Sequence, residues 1–366
     1  MTTPRKALVL ARAALAAALL APPASAQDEP PESGRKASGR FDSLESLNAS
    51  YTKQYEELER RQIADLTALA GRQAGSKAEA TYRQLFNFAV ARGQYNAAAK
   101  AAANYLEAER NDPQLRALAT LIDATVKVDN KQEDEALKGI ERFVRSQKAG
   151  GQKLDPDTIF TVGEAFLQRL VRNGSYDIAR RTCDVFLRGD PDKSVRDHFS
   201  ARLTRLNLMN KPAPPISGVD VDNREVRLTD LRGKVVLVDF WATWAPPCVA
   251  EVPHYQALLD KYGSQGFTIL GVNVDASRED IHGDIARVKP TVRKFLLTYR
   301  VSWPNVFNGG GARDFAQRYG VNEVPATFLV DAKGNIVDVE RSGADLDRAV
   351  AKALGVDDEA KDKEKK

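Results

Sequence analysis

The stretch from Gly233 to Pro253, GKVVLVDFWATWAPPCVAEVP, constrains the fold of this chain more than any other segment. Within it, Val235 to Phe240 is an almost continuous apolar run that a single acid, Asp239, interrupts. Such a run predicts a strand buried on both faces of a sheet. After an aromatic loop, Ala245-Pro246-Pro247-Cys248 predicts a helix start, because proline suits the first helical turn. A buried strand that leads into a helix, with a cysteine at the junction, therefore organises the chain.

This stretch resembles the active-site region of the TlpA-like and ResA-like thiol–disulfide oxidoreductases, which read FWATWCxPC at the same place. Leu231-Arg232-Gly233-Lys234 matches the L-x-G-K that leads into their central strand. The resemblance covers about 215–354 and implies an α/β thioredoxin-like fold, a central mixed sheet flanked by helices. The chain departs from the family at one position: Ala245 stands where the attacking cysteine belongs, and Cys248 is the cysteine that remains.

The resemblance also implies roles for the two cysteine positions. In the family, the first thiol attacks a substrate disulfide, and the second resolves the mixed disulfide. Ala245 is then a missing nucleophile, Cys248 is a resolving-type cysteine, and Asp239 matches the buried acid that accepts a proton from it. Dithiol turnover is therefore expected to be weak or absent. A purely structural role in strand solvation explains Asp239 equally well.

A substrate groove is implied at the same place. Val324-Pro325 matches the position of the family's cis-proline, which leaves the backbone of Val324 free to pair with an extended polypeptide. Trp244, Pro246 and Pro247 are expected beside this groove, although core packing explains Trp244 equally well. The expected partners are protein thiols or peptides at the Val324-Pro325 groove.

Other chemistries fit the residues less well. Peroxidase-type redoxins use P-x-x-x-T-x-x-C, whereas here Thr243 lies five residues before Cys248 rather than three. The three histidines, His198, His254 and His282, lack the spacing of metal ligands. We therefore predict neither a metal nor a cofactor.

The amino terminus predicts export. A basic segment, a short apolar run and Ala24-Ser25-Ala26 are typical of a signal peptide over 1–26, cleaved after Ala26, with an uncleaved anchor as the alternative. A periplasmic location follows, with no transmembrane span in the mature chain. The signal holds three basic and no acidic residues, so the net charge falls from +4 to 4 − 3 = +1. A nearly neutral chain gives no reason to expect a nucleic-acid partner.

Residues 27–42 predict a disordered spacer, and 43–210 predict an all-α, tetratricopeptide-like region. Its repeat is G-x-Y-x-x-A, at Gly93 and at Gly174, followed by Asp-Pro at 112–113 and at 190–191. Glycine should end the first helix of each pair, and Asp-Pro should stop the second. This region either presents a surface to a protein partner or serves as a spacer or dimerisation unit. Cys183, at an interior position of the last pair, is expected to be a buried structural thiol.

A proline-rich linker is predicted at 211–215, the thioredoxin domain at 216–355, and a charged disordered tail at 356–366. After the Cys248 helix we expect a strand at 267–274, a loop at 275–286 and a helix at 292–299. A further strand is expected at 324–331 and an edge strand at 336–340.

Two hypotheses for function remain open at this point. One is an extracytoplasmic member of the thiol–disulfide oxidoreductase family, concerned with cell redox homeostasis, in which Cys248 acts alone. The other is a redox-inactive scaffold that binds protein partners. A reactive Cys248 favours the first, and a buried, inert Cys248 favours the second.

Overall fold

The computed structural model describes residues 41–356, apart from 109, 111, 150–155, 190, 191 and 279. The predicted signal peptide and its cleavage site, the charged tail and the turn at 190–191 lie outside the described residues, as does the spacer up to residue 40. The chain divides into two compact units, Met1–Tyr55 and Glu56–Lys366. Both predicted domains, the helical region and the thioredoxin domain, have most of their residues in the second unit. Within the described residues, no helix combines the length and the apolarity needed to cross a membrane.

The amino-terminal region is all-helical, as predicted. Its helices are α1 (Leu44–Arg72), α2 (Gly75–Ala91), α3 (Tyr95–Glu107), α4 (Pro113–Asp129), α5 (Glu133–Ala149), α6 (Pro156–Arg172), α7 (Tyr176–Arg188) and α8 (Lys193–Asn207). Helices α2 and α3, α4 and α5, and α6 and α7 form three successive pairs, each joined by a short turn.

The same turn closes the first helix of each pair. In the first and third pairs it contains Gly93 and Gly174, whose φ angles are 66° and 75°. The next residue donates its N–H to the carbonyl five residues earlier, as in Gln94 to Ala89 and Ser175 to Leu170, both 2.9 Å. This is the Schellman arrangement that glycine favours, so the prediction that glycine ends these helices is confirmed. Lys131 occupies the equivalent position in the middle pair, with φ 63°.

The expected role of Asp-Pro was wrong at the position that the structure describes. Asp112 and Pro113 do not stop α3, which ends at Glu107, but begin α4. The Asp112 side chain accepts a hydrogen bond from the Leu115 amide at 3.0 Å, and Pro113 occupies the first helical turn. The physical reason is that a carboxylate oxygen pairs well with a free N–H at a helix start, and proline has no N–H to leave unpaired there.

The carboxyl-terminal region has a five-stranded mixed sheet in the order β5-β4-β3-β6-β7, with β3, β4 and β5 parallel and β6 and β7 antiparallel to them. A separate hairpin, β1-β2, precedes it. The elements are β1 (Ser217–Val219), β2 (Glu225–Arg227), β3 (Val235–Trp241), α9 (Pro246–Tyr262), β4 (Phe267–Asn273), α10 (Ile285–Thr298), β5 (Asn305–Phe307), α11 (Phe315–Tyr319), β6 (Ala326–Val330), β7 (Ile336–Val339) and α12 (Gly343–Leu354).

Two details of this region differ from expectation. Helix α10 begins at Ile285, seven residues before the predicted 292, because the Asp284 side chain caps it by accepting from the Arg287 amide at 3.3 Å. The polar composition of 275–286 concealed that cap. Strand β5, with only three residues, was not predicted at all, since such a short run carries no periodicity.

The apolar core does not divide at the predicted domain boundary. One buried cluster contains residues of α4 to α8 together with residues of all five strands of the sheet, β3 to β7. A second cluster joins α1 to α4. Helix α4 contributes to both: Ala117 and Leu121 belong to the first cluster, while Leu115 and Ile122 belong to the second.

The proline-rich segment at 211–215 is extended but fixed to the sheet. The Ala213 amide donates to the Gly334 carbonyl at 2.9 Å, and the Ile336 amide donates to the Lys211 carbonyl at 2.9 Å. The Tyr319 hydroxyl donates to the Pro214 carbonyl at 2.7 Å. This segment therefore runs along the edge strand β7, and the limits assigned to the two domains stay a prediction.

An ion cluster joins α8 to α6 and to the residue after β7. Arg202 and Arg205, both buried on α8, contact the Glu340 carboxylate, Arg205 at 2.7 Å. Arg202 also donates from Nε to Glu164 on α6 at 2.9 Å. Glu340 adopts a φ of 60°, uncommon for a residue other than glycine. We refer to Glu164, Arg202, Arg205 and Glu340 as the α8 ion cluster.

Helix α8 also contacts the loop between α11 and β6. The Arg205 Nη2 donates to Asn322 Oδ1 at 3.2 Å, and His198 Nδ1 lies 3.5 Å from the Glu323 carboxylate. Gly320, with φ 68°, approaches so closely that a Cβ there would lie 2.6 Å from the Ala201 carbonyl oxygen. These contacts hold α8 directly against the segment that precedes Val324-Pro325.

Candidate functional site

The start of helix α9 is the centre of the candidate site. Ala245 is its N-cap residue, with φ −98° and ψ 104°, and Pro246 and Pro247 fill the first turn. The Ala245 carbonyl accepts from the Cys248 amide at 3.0 Å, whereas its methyl side chain makes no capping hydrogen bond. A cysteine at this position would gain from the helix dipole and from free N–H groups. Ala245 has no group that the dipole could activate.

Cys248 is the third residue of α9 and is only 5% exposed. Burial raises the pKa of its thiol to about 12, and the charges of Asp239 and Asp275 act in the same direction. A hydrogen bond to the Ala242 backbone opposes the shift without cancelling it. At neutral pH the side chain is therefore a thiol and not a thiolate, which makes it a poor nucleophile.

Asp239 lies behind Cys248 in the middle of β3, a strand whose seven residues are all buried. Burial raises the pKa of its carboxyl group to about 7, against a lowering by the hydrogen bond from the Tyr255 hydroxyl, 3.3 Å from Asp239 Oδ1. A cavity of about 10 Å³ lies between Asp239, Cys248 and Tyr255, which is about the space of one water molecule. The acid is thus placed to exchange a proton at neutral pH.

Asp275 fixes the loop between β3 and α9. Its carboxylate accepts from the Thr243 amide at 2.9 Å and from the Thr243 hydroxyl at 2.5 Å. Asp275 is itself buried, and its amide donates to Asn273 Oδ1 at 3.2 Å. We did not predict this residue, although an acid directly after the buried strand β4 is a signal that could have found it.

Two further residues support the loop and were also not predicted. Asn305, at the start of β5, accepts from Trp241 Nε1 at 2.8 Å and donates to the Trp303 carbonyl at 2.8 Å. Tyr255 lies on α9, seven residues after Cys248, and its hydroxyl donates to Asp239 on the neighbouring strand β3. Sequence spacing gives no direct sign of either contact.

The expected groove residues lie at one end of the sheet. Strands β3 and β6 are antiparallel, with Phe240 opposite Ala326, so the residues after β3 and those before β6 emerge together. Trp244 is 52% exposed, and the side chains of Pro246, Pro247 and Pro325 are exposed as well. The Val324-Pro325 peptide bond is cis. Within the described part of the chain, the backbone of Val324 makes no hydrogen bond.

Two of the three histidines, His198 and His254, contact carboxylates away from the start of α9. His198 contacts Glu164 at 3.0 Å, and His254 lies 3.2 Å from both Glu251 and Asp347. Among the residues that the structure describes, no three His, Cys, Asp or Glu side chains are grouped so that they could hold a metal ion.

Cys183 lies on α7 and is completely buried. Burial raises the pKa of its thiol to about 12. Both Cys183 and Cys248 are free thiols.

The sequence matches the AhpC/TSA family over residues 209–339. It is 31% identical over 129 residues to the thiol-disulfide oxidoreductase ResA of Bacillus thuringiensis subsp. konkukian, which covers 35% of this chain and 67% of the relative. Over 130 residues it is 32% identical to ResA of Bacillus anthracis, covering 36% and 68%. Among solved structures, the thioredoxin domain of a thiol-disulfide oxidoreductase from Bacteroides vulgatus is 31% identical and covers 40% of this chain and 97% of that one, with a TM-score of 0.35.

Proposed function

This chain belongs to the AhpC/TSA family, among its ResA-like thiol–disulfide oxidoreductases, and from that premise we propose an exported member that binds polypeptide substrates without turning over disulfides by itself. The proposal separates two activities that the family combines. Binding uses the exposed groove at Val324-Pro325, whereas exchange requires a sulfur at position 245.

The main support for this proposal is that the N-cap residue of α9 is alanine, Ala245. Thiol–disulfide exchange begins when a thiolate attacks a disulfide sulfur. Ala245 has no sulfur, and Cys248 is buried with its pKa raised to about 12. No accessible thiolate is therefore present at the point where a substrate disulfide would approach. The same observation disfavours a single-cysteine redox role for Cys248.

The groove supports the binding part of the proposal. Trp244, Pro246, Pro247 and Pro325 provide exposed apolar surface around the helix start. The unpaired backbone of Val324 offers a donor and an acceptor to an extended strand. Such a surface accepts a polypeptide backbone with little dependence on a particular side chain. We infer that protein thiols or disulfide-bearing peptides are the natural occupants.

Export to the periplasm is part of the same proposal. The Ala24-Ser25-Ala26 motif after a basic and then an apolar segment supports it. Mass spectrometry of the secreted chain tests it, with Gln27 expected as the first residue. An intact Met1 in the exported protein would contradict cleavage.

The Ala245→Cys variant tests the redox part. We expect the natural mature chain to show no reduction of a protein disulfide above background in the presence of dithiothreitol. Ala245→Cys places a thiol at the helix N-cap, three residues before Cys248, and should raise the rate by about a hundredfold or more, since exchange depends on the thiolate. Ala245→Ser, of nearly the same size and without sulfur, is the matched control and should stay at background.

Alkylation of the cysteines distinguishes the proposed function from the alternative in which Cys248 acts alone. Cys248 should react with iodoacetamide only after unfolding, as should Cys183, which is equally buried. Fast labelling of Cys248 in the folded chain, absent in Cys248→Ser, would contradict the proposal and favour a single-cysteine redox protein.

A further inference from the structure

A large cleft lies between α8 and the carboxyl-terminal region. It encloses about 760 Å³, within the range of ligand-binding clefts. Ser200 and Thr204 of α8 line one wall, and Ser277, His282, Gln317 and Asn322 line the others. The family match begins at residue 209, so the α8 wall lies outside the part that resembles the relatives.

Two walls of the cleft are formed by residues that are close in sequence to residues of the candidate site. Asn322 lies two residues before Val324, whose backbone is unpaired. Ser277 lies two residues after Asp275, whose carboxylate holds the loop that carries Trp244. A chain bound at Val324-Pro325 therefore has this cleft beside it.

The walls of the cleft are held in place by contacts already described. Arg205 donates a hydrogen bond to Asn322, and Gly320 packs against the Ala201 carbonyl. Asn308 adds a third contact, since its side chain donates to Ser277 at 2.8 Å and accepts from the Ala316 amide at 2.9 Å. The cleft is thus formed before any ligand arrives, which lowers the entropy lost on binding.

The lining chemistry identifies the class of ligand. Within the described part of the chain, the side chains of Ser200, His282 and Gln317 have no hydrogen-bond partner. Apart from His282, the described lining residues with a formal charge are Arg278 and Asp314, and Arg278 is paired with Asp280 at 3.0 Å. Uncharged donors and acceptors interspersed with alanine and valine suit a polypeptide backbone better than a phosphate or a nucleic acid.

We propose that this cleft binds the continuation of the polypeptide held at Val324-Pro325, so that α8 forms part of the substrate site. The inference rests on the proposed function, because the polypeptide is the one assigned to the groove. The helical region then acts directly in substrate binding and is more than a spacer.

Ser200→Trp tests the cleft, because Ser200 is exposed and a large side chain there enters the cleft without disturbing the core. The probe is a small disulfide-bonded protein that has been reduced, alkylated and labelled with fluorescein, titrated with the mature chain and followed by anisotropy. We expect the Kd to rise about tenfold. Arg145→Trp, on the exposed side of α5, carries the same substitution outside the cleft and should leave the Kd unchanged.

A Kd that stays within twofold for Ser200→Trp would overturn the inference, and so would an equal rise for both variants. The proposed function is judged separately, by the gain of reductase activity in Ala245→Cys. In that background, Ser200→Trp should raise the KM for a protein disulfide about tenfold more than the KM for oxidised glutathione, which is too small to extend along the cleft. Equal KM changes would leave the proposed function intact and refute the role of α8.

Discussion

Two sites of this molecule bury charged side chains, and they differ in how many polar partners those side chains have. In the α8 ion cluster, Arg202 and Arg205 have the carboxylates of Glu340 and Glu164 around them. Behind the helix start, Asp239 is equally buried, yet within the described residues its side chain has a single hydrogen bond, from the Tyr255 hydroxyl at 3.3 Å. In the α8 ion cluster, opposite charges lie in contact. Asp239, in contrast, has few polar groups around its carboxyl group.

The difference favours a structural role for the α8 ion cluster and agrees with the proton-acceptor role proposed for Asp239. Buried opposite charges in direct contact hold two elements in one relative position, because separating them leaves a charge uncompensated. A buried acid with its pKa raised to about 7 is unfavourable for folding and useful for proton transfer. Under the proposed function, Asp239 and Cys248 are the part of a redox site that is present here, while position 245 carries alanine.

The largest expected effect comes from breaking the ion cluster. Glu340→Gln keeps the size of the side chain but leaves two buried guanidinium groups without its charge. We expect the free energy of unfolding to fall by about 3 kcal/mol, the lower end for a broken buried pair, because the Glu340 side chain is still 14% exposed. Urea denaturation of the mature chain at pH 7 measures it.

Glu323→Gln is the matched control for that substitution. Glu323 faces the same helix through His198, but its side chain is 50% exposed, so its removal should change stability by less than about 0.5 kcal/mol. Equal losses for Glu340→Gln and Glu323→Gln would show that the buried cluster has no special role.

Asp239→Asn should act in the opposite direction. The pKa of Asp239 is raised from 3.8 to about 7, so the folded state holds a proton that the unfolded state releases between these values. The natural chain therefore loses stability as pH rises from about 4 to 7, by at most about 4 kcal/mol for three pKa units. We expect Asp239→Asn to gain about 2 kcal/mol at pH 8, since asparagine must still bury a polar amide.

Urea denaturation at several pH values measures this gain. At pH 3 this gain should be gone and the natural chain should be the more stable of the two, because Asp239 is then protonated in the folded protein and largely so in the unfolded one, while the variant still buries its amide. A pH-independent difference between them would contradict the assignment of the raised pKa to Asp239.

Two tyrosines provide the smallest and most closely matched comparison. Tyr176 donates to Asp338 at 2.8 Å beside the joint between helices and sheet, and Tyr255 donates to Asp239 at 3.3 Å. Tyr176→Phe should lower the free energy of unfolding by about 1.5 kcal/mol, as for a good bond to a charged group. Tyr255→Phe should lower it by about 0.5 kcal/mol at pH 6, where Asp239 is protonated. Thermal denaturation at pH 6 distinguishes them, and a larger loss for Tyr255→Phe would reverse the comparison.

The sequence predicted the parts of the fold that rest on local pattern. The buried strand β3, the helix start at Pro246 and the glycine turns at Gly93 and Gly174 follow from apolar runs and from backbone freedom. The contacts that define the site were not accessible in this way. Asp275, Asn305 and Tyr255 contact the candidate site through sheet order and helix packing, and these pairings join residues far apart in the chain.

The α8 ion cluster shows the same limit. Arg202 and Arg205 belong to an ordinary amphipathic helix pattern, and their partner Glu340 lies 138 and 135 residues away. Nothing local distinguishes them from solvated surface charges. Only the packing of α8 against the end of β7 makes them interior residues.

Helix α4 gives a different view of how the molecule holds together. Because its opposite sides enter the two apolar clusters, neither cluster can open without exposing part of the other. We therefore expect the sheet and its adjoining helices to unfold together as one cooperative unit. Deletion of the helices would leave the redoxin part with an uncovered apolar face.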